Sequence, residues 1–117
     1  MEVIGGYISP VGDAYGKIGL VASHHRVKMC ELAVQSSDWV MVDSWESLQP
    51  EYLTTITVLN HIHNCLLKHL NKKIRVMLLA GADLLESMVK PGVWAEEDVS
   101  AKRFYLHSPR DIKLDYP

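Results

Sequence analysis

The 117-residue sequence has no apolar run near the roughly 20 residues that a membrane-spanning helix needs. No positive cluster precedes an apolar stretch at its start, so a secretory signal is not expected. It also lacks a basic stripe. Twelve Lys and Arg stand against 14 Asp and Glu, a net charge of -2, which argues against electrostatic capture of nucleic acid. There are only two cysteines, Cys30 and Cys65, both inside apolar segments, and they read as buried thiols in a reducing compartment. The phosphate-loop signatures GxxxxGKS/T and GxGxxG are absent, as are internal repeats and low-complexity tracts. Neither the adjacent His24 and His25 nor the pair His61 and His63 shares a helix face. His61 and Cys65, four apart, can share one, but two ligands without a third do not make a zinc site. No Ser/His/Asp or Cys/His arrangement has the context that covalent catalysis requires. The expectation is an intracellular protein, in cytoplasm or nucleus, that binds neither nucleic acid nor membrane.

What is present is an alternation of strands and helices. The chain is long enough for one core, and 48% apolar residues can fill it. Val3–Ile8 (VIGGYI) reads as a first strand, ended by Ser9-Pro10, so the chain is already in a strand by its third residue. Residues 11–20, with three glycines and Lys17, read as a loop. Ser23 suits the N-cap of a helix over 24–35, where Val27, Cys30 and Val34 recur at helical spacing and Met29, Leu32 and Ala33 widen the face. Trp39–Val42 is a second strand. Pro50 and Glu51 favour the start of a helix of about twenty residues. Tyr52, Ile56, Leu59, His63, Leu66 and Leu70 step along one of its faces. Ile74–Leu79 is a continuous apolar run, as expected of a third strand covered on both faces. A short helix (LLESM) follows Asp83 and stops at Lys90-Pro91-Gly92. A second short helix is expected around Ala95–Ser100. Lys102–Pro117 shows no period and reads as a loosely ordered tail.

Strands alternating with helices imply a parallel sheet with right-handed crossovers. Ligands of such sheets bind outside the carboxyl ends of the strands, which selects three loops. In the first, Lys17 either reaches a phosphate or is a solvated surface lysine. The second carries Asp43, Trp45 and Glu46, then Tyr52 and Thr55. Tyr52 either stacks on a heterocycle or belongs to the core stripe. In the third, Gly81 allows close backbone approach, and Asp83 either caps a helix or accepts from ligand hydroxyls. Trp94, beyond the Pro-Gly break, packs on the core or walls the pocket.

The blocks GGYISPVGDAYGKIGL, HHRVKMCELAVQSSDWVMVDSWESLQ and VMLLAGADLLESMVKPGVW resemble, in content and order, successive blocks of eukaryotic nicotinamide/nicotinate mononucleotide adenylyltransferases, the plant-type members most closely. The resemblance runs from about Val3 to Val99. It implies a Rossmann-like nucleotidyltransferase sheet of the α/β class. It also implies an activity in NAD biosynthesis: ATP and the mononucleotide give NAD and diphosphate. The mononucleotide phosphate attacks the α-phosphorus directly, without a covalent enzyme intermediate and with Mg2+. The resemblance places Lys17 before the phosphates and Tyr52 where the family stacks an aromatic, usually Trp, on the pyridine ring. Thr55 would meet the base carboxamide or carboxylate. Gly81 and Asp83 match a GxD turn that holds ribose hydroxyls, and Val93 and Trp94 match the pair that walls the pyridine pocket.

The family pattern also includes a first strand with a GxFxPxxxxH loop before the matched blocks, and a Ser/Thr- and Arg-containing helix start after them. Neither motif occurs in this sequence. The implied sheet is therefore incomplete: three strands are expected, the family's first being absent. Residues 1–101 are expected to form a partial nucleotidyltransferase domain and 102–117 a divergent tail. Catalysis is expected to be impaired or lost, with a non-catalytic pyridine-nucleotide-binding or interaction protein as the alternative. Residues 3–8 and 74–79 should either pair directly or leave open edges through which copies associate.

Overall fold

The computed structural model describes residues 2–88, 90, 92 and 106–107. Its elements are β1 (Gly6–Ile8), α1 (Ser23–Ala33), β2 (Val40–Val42), α2 (Thr55–His69), β3 (Leu78–Leu79), α3 (Ala82–Met88) and β4 (Leu106–His107). The chain divides into two units, Met1–Thr54 and Thr55–Pro117.

In the first unit β1 and β2 run parallel and are joined through α1, with Gly6 opposite Val40, Tyr7 opposite Met41 and Ile8 opposite Val42. The ladder is extended at both ends: Gly6 N–H donates to Trp39 O and Asp43 N–H to Ile8 O, each at 2.9 Å. The strand expected from Val3 begins at Gly6 instead, and Val3 and Ile4 are exposed. Along α1 the narrow stripe holds: Val27, Cys30 and Val34 are half-buried, whereas Met29, Leu32 and Ala33 face solvent. Ser23 is not the N-cap. It is the first helical residue, after Ala22 at the cap position, which makes no side-chain cap bond. Its amide is one of the unpaired donors that every helix start leaves, and Asp13 accepts from it across ten residues of chain.

In the second unit α2 begins at Thr55 rather than at Pro50. Gln49 keeps the extended backbone (ψ 138°) that a following proline imposes. Tyr52, taken out of the helix, lays its ring on Tyr15, with centroids 5.5 Å apart and planes 25° apart. Tertiary stacking has overridden a local start signal. The buried face of α2 is Val58, Leu59 and Ile62. The expected stripe keeps Leu59, with Ile56, His63 and Leu66 half-buried, but Tyr52 and Leu70 are exposed.

The third strand is Leu78–Leu79 alone, parallel to β4. The expectation of cover on both faces fails at Leu79, which is 74% exposed. A strand with one neighbour and two ladder residues among the described residues is not the enclosed strand that a continuous apolar run suggests. β4 lies within the segment read as an aperiodic tail, because two residues are too few to leave a period. The described ladders are two separate two-stranded sheets, so among the described residues 3–8 do not pair with 74–79. α3 ends at Met88, the last residue of the expected LLESM helix and just before the Lys90-Pro91-Gly92 break, but it starts at Ala82, two residues before the expected Leu84, so that Asp83 lies inside it. The short helix expected at 95–100 lies outside the described residues.

Candidate functional site

The carboxyl ends of β1 and β2 gather most of the polar contacts of the first unit. Ser9, directly after β1, donates from its hydroxyl to Glu46 Oε2 at 2.7 Å. Burial pushes the Glu46 carboxyl above its usual 4.5; the Ser9 bond works against the shift, the Asp43 charge adds to it, and the Arg26 charge opposes it. Asp43 follows β2 and accepts from Trp45 N–H at 3.0 Å, a local turn typical of aspartate.

Asp13 lies in a 3-10 turn, Asp13–Tyr15, within the loop after β1. Its two oxygens divide between two donors of Ser23: Oδ1 takes the amide at 2.7 Å and Oδ2 takes Oγ at 2.9 Å. The Arg26 Nη2 atom lies 3.6 Å from Oδ1, and its Nε donates to Val21 O at 2.7 Å. The Ser23 hydroxyl bond, then the Ser23 amide bond, hold Asp13 below its usual 3.8; burial opposes them, and the charges of Arg26 and His24 add lesser help. It is therefore an ionised acceptor throughout the neutral range.

Lys17 stands between two glycines with left-handed backbone, Gly16 (φ 67°) and Gly19 (φ 80°). Its carbonyl accepts from Leu20 N–H at 3.1 Å, closing a four-residue turn whose third position demands positive φ. The side chain is exposed, and among the described residues no carboxylate pairs with it. Tyr52 is also in the first unit. It is 53% exposed, so its reading as a core residue is excluded. The ring already beneath it is Tyr15, two residues before Lys17.

The second unit holds three further candidates. Thr55 is the first residue of α2 and half-buried. Asp83 is the second residue of α3, inside the helix rather than at its cap. Its Oδ1 lies 3.0 Å from where a Cβ on Gly81 would stand. The glycine and the carboxylate are one feature: the side chain folds back over a backbone position where a Cβ would sit closer than ordinary contact. Val93 and Trp94 lie outside the described residues. His61 and Cys65 do share a face of α2, with Sγ 3.8 Å from Nε2. Among the described residues no three His, Cys, Asp or Glu side chains converge on a metal position. These donors offer no all-protein cage for Mg2+; an ion that travels on nucleotide phosphates keeps its waters and needs one or two carboxylates at most. No helix among the described residues is long and apolar enough to cross a membrane.

Tyr15, Asp13 and Ser23 were not legible as site residues. Tyr15 had a usable signal, an aromatic in the same loop as Lys17. Asp13 and Ser23, ten residues apart, had none. A cleft of about 330 Å³ between α1 (Ser23, His24, Val27, Lys28, Glu31) and Ser44, Ser47 and Leu48 contains none of the candidate residues.

Parallel strands joined through a helix, with polar side chains collected beyond their carboxyl ends, define an α/β protein of the Rossmann type. The chain belongs to the cytidylyltransferase-like family, which it matches over residues 3–110. It is similar to the nicotinamide/nicotinic acid mononucleotide adenylyltransferase 1 of Saccharomyces cerevisiae, 54% identical over 108 residues, covering 84% of this chain and 27% of that protein. The corresponding protein of Oryza sativa subsp. japonica is 51% identical over 101 residues, covering 84% of this chain and 41% of its own length. That of Schizosaccharomyces pombe is 47% identical over 113 residues, with 85% and 30% covered. The chain thus spans between about a quarter and two fifths of the length of these three relatives.

Proposed function

We propose that this chain carries the pyridine-mononucleotide half of a nicotinamide/nicotinate mononucleotide adenylyltransferase of NAD biosynthesis. The observation that carries the reading is identity near one half, over 84% of the chain, to relatives that bear that name. Lys17 faces the mononucleotide phosphate, Tyr52 and Trp94 stack on the pyridine ring, and Thr55 and Val93 border its substituent. Asp83 accepts from the ribose hydroxyls over Gly81. The chemistry asked of such residues is positioning and charge neutralisation, because the mononucleotide phosphate itself attacks the α-phosphorus of ATP. Mg2+ would accompany the ATP phosphates and help to neutralise their charge.

A second reading is binding without turnover. It is favoured by the loop after β1, which supplies one basic side chain, Lys17, to the phosphates. Calorimetric titration of the 117-residue protein with nicotinamide mononucleotide, beside a coupled assay of NAD formation from the mononucleotide and ATP, separates the two. Binding that is lost in Asp83→Ala supports the site, and turnover decides between enzyme and binder. Absence of binding by the unsubstituted protein refutes both. The open edges of β1 and β3 also suit association of copies, which sedimentation at several concentrations reads directly.

A further inference from the structure

We propose that Asp13 is the positioning residue of the mononucleotide site: it anchors the 3-10 turn from which both the Lys17 loop and the Tyr52 ring take their places. The inference rests on the site assignment above for what is positioned, and on the hydrogen bonds alone for what does the positioning.

The loop after β1 is held firmly as far as Tyr15 and only locally beyond it. Ser9 is tied to Glu46 at 2.7 Å. Gly12 lies against the backbone of the next turn, where an added Cβ would stand 3.4 Å from Glu46 O. Asp13 then uses both carboxylate oxygens on Ser23. Gly16 N–H still donates to Asp13 O at 3.1 Å, within the same turn; from Lys17 to Leu20 the one backbone bond among the described residues is the local Leu20 N–H to Lys17 O, and two left-handed glycines flank the lysine. Such a segment has no position of its own. It inherits one from the Asp13–Tyr15 turn. The same turn aims the Tyr15 ring at Tyr52. One carboxylate that touches no ligand therefore orients the phosphate-facing cation by chain continuity and the stacking aromatic through Tyr15.

Asp13 also satisfies the amide at the start of α1, so a plain loss of stability in Asp13→Ala says nothing about positioning. Ala22 holds the N-cap position with extended ψ (142°), and Ala22→Ser supplies a local cap. The double variant Asp13→Ala/Ala22→Ser restores the helix start without re-anchoring the loop.

The test uses the whole 117-residue protein. Amide hydrogen exchange at Tyr15 and Gly16, whose N–H groups donate to Gly12 O and Asp13 O, and the Tyr15–Tyr52 ring-to-ring nuclear Overhauser effect report the anchor. Titration with nicotinamide mononucleotide reports the site. In Asp13→Ala we expect exchange roughly tenfold or more faster at those amides, loss of the ring effect, and affinity down by about tenfold or more. In the double variant the unfolding midpoint returns and the other three changes persist. Asp13→Asn keeps an acceptor for the Ser23 amide, remains folded where the alanine variant does not, and lies between the two. Recovery of all readouts by Ala22→Ser overturns the proposal, since Asp13 is then a helix cap only. Unchanged exchange and ring contact in Asp13→Asn and Asp13→Ala overturn it as well. Failure of the unsubstituted protein to bind the mononucleotide, with exchange and ring contact responding as expected, refutes the site assignment and leaves the anchor standing.

Discussion

Gly81→Ala separates fold from site more sharply than any other single change. The backbone accepts it: among the described glycines, positive φ occurs at Gly16, Gly19 and Gly92, not at Gly81. Alanine there lowers the entropy of the unfolded chain, a gain of about 0.4–1 kcal/mol. Against this, the new Cβ meets Asp83 Oδ1 at 3.0 Å, where ordinary contact begins at 3.4 Å, so the carboxylate must retreat by about 0.4 Å. Rotating a side chain that far from its rotamer costs a few tenths to about 1 kcal/mol. The two effects offset, and stability should stay within about 1 kcal/mol of the starting protein. Binding should not. A retreat of that size stretches a carboxylate–hydroxyl bond of about 2.8 Å beyond the ordinary 3.0 Å limit. The methyl also occupies the face that glycine leaves open to a ligand. Losing even the low end of a charged hydrogen bond, about 1.5 kcal/mol, weakens nicotinamide mononucleotide about tenfold. Urea unfolding and calorimetric titration on the same preparations read both quantities. Unaltered affinity would refute the role of the Gly81–Asp83 turn. A stability loss above about 2 kcal/mol would show that the glycine serves the backbone instead.

Leu59, 6% exposed at the centre of the buried face of α2, should cost about 2–5 kcal/mol on truncation to alanine, and a urea midpoint shifted by less than about 1 kcal/mol would place the core elsewhere. Glu46 gives a pH-dependent outcome. Its carboxyl is raised above 4.5 by burial, so the folded protein prefers the protonated form. The ionised form therefore costs stability above the folded pKa, and that cost disappears as the pH falls through the folded pKa to below 4.5. Glu46→Gln keeps an acceptor for Ser9 and should unfold at a higher temperature than the starting protein near pH 7, with the advantage gone below about pH 4.5. A disadvantage at neutral pH that disappears in acid would mean that the Arg26 charge outweighs burial.

The elements that sequence reasoning located best are those whose signals are local. β2 follows from a short apolar run, and the end of α3 from a Pro-Gly stop. The narrow stripe of α1 follows from helical spacing. Where reasoning failed, a distant partner had decided the outcome. Pro50 and Glu51 are good helix starters, yet Tyr52 leaves the helix for the ring of Tyr15, 37 residues earlier in the numbering. Ser23 is a good N-cap by type, but the acceptor is Asp13 and the serine moves one place into the helix. β4 was illegible because a two-residue strand has no period. That Gly81 and Asp83 lie against each other follows from their two-residue spacing.

The same contrast explains how the candidate positions are supported. Asp83 is placed by its neighbour Gly81, within one turn of chain. Lys17 has no such local support: the glycines around it permit its conformation without selecting a direction. Selection has to come from outside the turn, and the structure supplies it through an acidic residue and an aromatic, Asp13 and Tyr15. Asp13 holds the turn through two hydrogen bonds to Ser23 and an ion pair with Arg26, and Tyr15 extends that fixed point to Tyr52. A flexible glycine loop before a phosphate is useful only when its base is fixed. The base, rather than the tip, is therefore where substitutions should uncouple binding from folding.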